Sequence, residues 1–211
     1  MRRYSFLDKV CLEIDQALCA LTNHTKLVNH YPAEKLPADS LSKAAQKRVA
    51  GLMRVNHAGE ICAQALYRGQ HLVSRNPNIA QKMQEAADEE SAHLDWCSKR
   101  LDELNSRPSL LNPIWYTGSF CIGVFAGAIS DAYSLGFLAE TEHQVGKHLK
   151  HHLSELPAED LRSRAILRQM EQDEAKHRQD AIEAGGKELP NLVKWVMAIT
   201  SKVMVKTAYW L

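Results

Sequence analysis

Apolar residues recur at three- and four-residue intervals through most of the chain, and runs of strict alternation are scarce, so the pattern predicts an all-α fold. Prolines, glycines and asparagines divide it. A short helix is expected over about 5–21. After Pro32 and Pro37 a long one runs from near Ser40 to Ser74, capped by Asp39 or Ser40 and closed by Asn76 and Pro77. A second long helix should span about Asn78 to Leu104, ahead of Asn105 and Pro108. Pro113 then opens a third long segment that continues to about Leu156, where Pro157 stops it. A fourth covers roughly 158–184 with Gly185 and Gly186 as its C-terminal cap, and Pro190 introduces a last amphipathic helix that reaches the C-terminus. Four long helices of this kind predict a four-helix bundle, with 1–46 peripheral and 190–211 an added amphipathic helix on a single 211-residue domain.

The same periodicity sends acids inward. A glutamate precedes an E-x-x-H motif by 30 residues in the first half (Glu60, then Glu90 and His93) and by 32 in the second (Glu142, then Glu174 and His177). A helical hairpin brings residues that far apart face to face when each arm contributes about four turns. Three E-x-x-H motifs occur, and helix phase chooses among them. Glu90 shares its stripe with Met83, Ala86, Ala87, Leu94, Cys97 and Leu101, and Glu174 with Leu167, Met170 and Ala181, with Glu171 an awkward member. Glu142 shares Leu135, Leu138, Ala139, Val145 and Leu149, which puts Glu140 and His143 on the opposite side with Lys147 and rejects them as a pair. Glu60 lies among Met53, Asn56, His57, Ala63, Gln64 and Tyr67, a polar core stripe. Four buried carboxylates would cost several kcal/mol each if unpaired, whereas two divalent cations carry the matching +4. Four glutamates and two histidines are the donor set of carboxylate-bridged di-iron and di-manganese bundles, and oxygen and imidazole donors suit iron that binds O2. His57, Tyr67 and His148 are candidates to orient these ligands from behind, while His151 and His152, beside Lys147 and Lys150, read as solvated.

Composition narrows the picture. Twenty-six basic against 25 acidic residues leave a formal charge of +1, so no global excess points to nucleic acid. Five cysteines without a C-x-x-C pair argue against a disulfide framework and against zinc-ribbon or rubredoxin-type sites, and suit a reducing cytoplasm. Asp8, Glu13 and Asp15 sit badly with a cleaved leader. The apolar stretch Ile114 to Ile129 is shorter than the ~20 residues of a spanning helix and reads as buried or membrane-dipping.

The segment Leu52-Met53-Arg54-Val55-Asn56-His57-Ala58-Gly59-Glu60-Ile61, on to Gln70, resembles the demethoxyubiquinone hydroxylases, di-iron monooxygenases of late ubiquinone biosynthesis. The likeness continues through Asp88-Glu89-Glu90-Ser91-Ala92-His93-Leu94, the stretch from Arg107-Pro108 to Trp115, Glu142 with His148, and Asp173-Glu174-Ala175-Lys176-His177, covering about 48–211. Residues 1–46 do not match the family's pattern. The resemblance implies a ferritin-like bundle and assigns two irons to Glu60, Glu90, His93, Glu142, Glu174 and His177, the six that helix phase selects. It further implies hydroxylation of a polyprenyl benzoquinol ring with O2 and electrons from NADH. No G-x-G-x-x-G follows a strand, so reductant would arrive through a partner, directly at the centre, or by way of the quinone.

A prenylated substrate implies a bilayer. The C-terminal helix carries Leu192, Val193, Val196, Ile199, Val203 and Met204 with Trp195, Tyr209 and Trp210 near its ends and lysines 194, 202 and 206 between, an interfacial pattern. A peripheral protein on the cytoplasmic face of the cell membrane, with other ubiquinone-biosynthesis proteins as partners, is the expected setting. Rival readings are a ferritin-like iron-storage or peroxide-detoxifying protein, and a lipid-binding scaffold whose histidines merely pack.

Overall fold

The computed structural model describes residues 5–22, 30–38 and 40–211. Among them are seven helices and no strand: α1 (Phe6–Leu21), α2 (Lys43–Val73), α3 (Pro77–Glu103), α4 (Asn112–Ile129), α5 (Asp131–Glu155), α6 (Leu161–Glu183) and α7 (Asn191–Ala208). The all-α expectation holds, and the chain has the ferritin-like helical bundle. Helices α2, α3, α5 and α6 make the bundle as two antiparallel hairpins, α2 against α3 and α5 against α6.

Local chemistry sets the ends. Ser5 accepts from the Asp8 amide while Asp8 accepts from the Ser5 amide, a reciprocal box that starts α1. Ser42 caps α2, two residues beyond the expected Ser40; Asp39, the other expected cap, lies outside the described residues. Asn76 caps α3 with Pro77 in its first turn, and Asp160 caps α6 through the Ser163 amide. Gly185, at φ 96°, takes the left-handed position after α6 that a side chain would disfavour.

The third long segment is not one helix. It breaks at Ser130, which lies in extended backbone (φ −171°, ψ 158°) and turns its hydroxyl to the Tyr133 amide, ending α4 and capping α5. The break lets α4 serve as the crossover. Asn112 sits on His57, Gly123 on Leu66, and Gly127 on Gln70 and Val73, so α4 runs parallel to α2 along its outer side. It thus carries the chain from the end of α3 back to the far end of the bundle, where Gln70 donates to the Ser134 carbonyl at 2.8 Å and α5 begins. The approach is close: a Cβ on Gly123 would lie 2.1 Å from the Leu66 carbonyl oxygen, and one on Gly69 2.3 Å from that of Phe120. Small residues there let the two backbones touch.

Helix α1 also lies on the outer side of α2, and α7 runs from α5, where Gln144 donates to the Lys194 carbonyl, to α2, where Met204 and Ala208 meet Val55 and Ala58. Glu13 of α1 pairs with the buried Arg68 of α2 at 2.8 Å, and Trp115 of α4 packs in both the α1 and the α7 contact clusters. No helix among the described residues is long and apolar enough to cross a membrane.

The bundle interior is apolar at both ends. Met53, Cys97, Leu101, Leu149, Ile166, Leu167 and Met170 fill one end, and Leu66, Tyr67, Met83, Ala86, Ala87, Leu135, Leu138 and Ala181 the other. Between these plugs sit the acids.

Candidate metal centre

Each arm of the two hairpins places its glutamate at the middle of the bundle. Glu60, Glu90, Glu142 and Glu174 are all at most 2% exposed, with His93 at 2% and His177 at 8%. Their donor atoms fall into two overlapping groups, each within 4.8 Å: Glu60, Glu90, His93 and Glu174; and Glu90, Glu142, Glu174 and His177. All six residues selected by helix phase are therefore brought to one place, and Glu90 and Glu174 belong to both groups. The rejected pair goes elsewhere: Glu140 accepts from Gln144 and, with His143, lines a surface groove.

The two histidines are oriented alike. A carboxylate can only accept, so His93 Nε2–H donates to Asp173 Oδ2 at 3.2 Å and His177 Nε2–H donates to Glu89. Each ring then turns Nδ1 inward. His93 Nδ1 lies 3.2 to 3.5 Å from oxygens of Glu174, Glu90 and Glu60, and His177 Nδ1 is 3.5 Å from Glu174 and 4.0 Å from Glu142. The supporting acids are exchanged between helices: Asp173 on α6 holds the histidine of α3, and Glu89 on α3 holds that of α6. Sequence reasoning missed both. The signal was there, as an acid directly before the glutamate of each paired motif (Glu89-Glu90 and Asp173-Glu174).

Of the three orienting candidates, Tyr67 reaches a ligand directly, its buried hydroxyl donating to Glu142 Oε1. His57 is buried and pushed down to about 3 by desolvation, hence neutral. Its Nδ1 accepts from Asn112 at 3.2 Å and its Nε2–H donates to Ser98 at 3.0 Å, tying the start of α4 to α2 and α3. His148 is half-buried and lines the surface groove with His143. The inward histidine of that turn is His152, which was expected in solvent; it is 4% exposed, bonds Asn56 Oδ1 at 2.7 Å, and is pushed down to about 4 by desolvation and by its neighbours His148 and His151. Lying one turn beyond His148, it meets the polar stripe of α2 from across the bundle.

The electrostatics expose what the site lacks. Desolvation and the Glu90 charge raise the Glu60 carboxyl well above its ordinary value, and desolvation with Glu174 does the same to Glu142. Burial opposes a charged His93, but the carboxylates of Asp173, Glu174, Glu60 and Glu90 around it prevail and raise it well above its usual range. Burial likewise opposes His177, yet Glu174 and Glu89 lift it to about 10. The centre thus takes up positive charge as protons. Even so, Glu60 Oε2, Glu90 Oε1, Glu142 Oε2, both Glu174 oxygens and His177 Nδ1 are buried without a hydrogen-bond partner. Orphaned acceptors facing inward around two shared carboxylates fit a pair of divalent ions.

The profile of ubiquinone biosynthesis protein COQ7 matches residues 47–208. The chain belongs to the COQ7 family. A 3-demethoxyubiquinol 3-hydroxylase of Acinetobacter baumannii is 54% identical over 212 residues, with all of both chains covered. Proteins of the same name from Nitrosospira multiformis and Bordetella parapertussis are each 52% identical, over 97% and 100% of this chain and 98% and 95% of their own. The COQ7 match begins at residue 47, where the resemblance in the sequence also fades, yet these relatives align through the N-terminal portion as well. All six central residues and both supporting acids lie inside the COQ7 match.

Proposed function

We propose that this chain is a 3-demethoxyubiquinol 3-hydroxylase in which Glu60, Glu90, His93, Glu142, Glu174 and His177 hold two irons, with electrons that originate from NADH. The observation that carries the reading is the pair of overlapping donor groups sharing Glu90 and Glu174, on a chain about half identical to hydroxylases along its whole length. Iron held there would supply activation of O2, with two electrons and two protons from the NADH-derived reductant and two electrons from the ring C–H bond, so that one oxygen atom enters the ring as a hydroxyl and the other leaves as water.

The protein's own groups prepare that chemistry. Asp173 and Glu89 hold the imidazoles with Nδ1 inward, and Tyr67 fixes one oxygen of Glu142. The apolar plugs at both ends of the bundle keep the buried carboxylates in a medium of low polarity, where an ion binds them strongly. Helices α1, α4 and α7, packed outside the bundle, each present an apolar stripe: Leu7, Ile14 and Leu18; Ile114, Ile122, Phe125 and Ile129; and Leu192, Val196, Ile199 and Val203. Three such stripes support a peripheral seat on a bilayer, where a prenylated quinol resides, at the cytoplasmic face of the cell membrane.

Iron-loaded protein supplied with a reduced demethoxyquinol analogue, NADH and O2 should release a ring-hydroxylated product of the expected mass. Mineral uptake with no hydroxylated quinol would replace this reading with iron storage.

A further inference from the structure

The groove that takes in His143 and His148 lies between α5, α6 and α7 and encloses about 460 Å³. Its walls are basic. Lys147, Arg178, Lys194 and Lys202 line it together with Trp195, against one acid, Glu140, which already accepts from Gln144. Lys194 pairs with the exposed Glu188 at 2.7 Å, while no carboxylate of the described residues lies within ion-pair distance of Lys147, Arg178 or Lys202.

The groove also borders a greasy edge. Trp195 is 61% exposed and continues into the outward stripe of Leu192, Val196, Ile199 and Val203 on the same helix. Unpaired cations in a concavity, with an aromatic ring at its rim and an exposed apolar ridge beside it, match the layers of a membrane surface, in which phosphate lies just above the acyl boundary. An acidic protein partner would satisfy the cations but leave the ridge in water.

We propose that this groove binds the phosphate headgroup of an acidic phospholipid, so that α7 lies in the interface with its apolar ridge in the acyl region and Lys147, Arg178 and Lys202 on the headgroup. The inference rests on the peripheral membrane reading and adds a lipid class and a site to it. Neither the metal ligands nor their supporting acids take part.

The test is co-sedimentation of the full iron-loaded chain with vesicles of phosphatidylcholine alone and of phosphatidylcholine mixed with phosphatidylglycerol. Binding should be much stronger to the acidic vesicles and fall with salt. The double variant Lys147→Gln/Lys202→Gln should lose about fivefold per charge removed on acidic vesicles and nothing on neutral ones. Trp195→Ser/Ile199→Ser should weaken binding to both. Equal binding of the wild type to the two vesicle types, or no effect of the lysine changes, would overturn the headgroup site while leaving membrane attachment standing. Failure to bind either vesicle would overturn both.

Discussion

The two halves of the centre use the same motif in different surroundings. His93 stands beside the buried Trp96, its ring 5.0 Å from the indole, and its supporting acid, Asp173, is about a third exposed. His177 opens on a cavity of about 150 Å³ lined by Lys82, Glu85, Lys176 and Asp180, and its supporting acid, Glu89, is 54% exposed. One half is walled by α2 with α4 outside it, while the other meets water through the cavity where α3, α5 and α6 come together. A duplicated ligand pattern need not give two equivalent sites, because solvent access is set by what packs behind each copy.

The largest effect should separate shared from unshared ligands. Glu90→Ala or Glu174→Ala removes a carboxylate common to both donor groups and should take metal from about two ions per chain to nearly none. Glu60→Ala and Glu142→Ala should each leave about one. Metal analysis of the purified variants reads this directly, and equal losses from all four would mean that the centre does not divide into two halves.

Next come the supporting acids. Asp173→Asn and Glu89→Gln each weaken the hold on an imidazole, and such changes cost about 10- to 100-fold in metal affinity. Competition with a chelator should place Asp173→Asn toward the larger loss, because water can replace the exposed Glu89 more readily. The reverse order would abolish the contrast between a sheltered and an open half.

Acidity offers a third comparison, between metal-free and metal-bound protein. Folded and without metal, His177 keeps its proton to about 10 against 6.5 when free, so its contribution to stability is complete below 6.5 and is lost as pH rises through 10. The raised carboxyls of Glu60 and Glu142 act in the same direction, beginning above their ordinary value of 4.5. Thermal unfolding of the metal-free chain should therefore fall with rising alkalinity, on the order of 5 °C between neutral and pH 9. Metal replaces the protons, and the bound form should vary much less over that window.

Smaller still is Tyr67→Phe, which removes a hydrogen bond to a buried carboxylate and should lower affinity for the ion on the Glu142 side about tenfold. Glu140→Ala, on the outward face of the same helix, should change neither metal content nor turnover.

The six central residues were legible from the paired E-x-x-H spacing and from phase, because a helix repeats every 3.6 residues and a buried acid stands out against its apolar neighbours. Glu89 and Asp173 were harder: each sits one position off its own core stripe and gains its role from a ring on the opposite helix. His152 was misjudged for the same reason, since Lys150 and His151 colour its sequence neighbourhood while Asn56 and the bundle supply its real one. The break at Ser130 was hidden by apolar residues on one side and a helical pattern on the other.

The linear pattern therefore determined the helices, their inward carboxylates and the demand for positive charge, all of which follow from spacing within one element. Which acid backs which histidine, how α4 crosses over, and which half of the centre meets water were decided only when the helices packed. Those properties belong to pairs of residues about 60 to 90 positions apart, and no local periodicity encodes such distances.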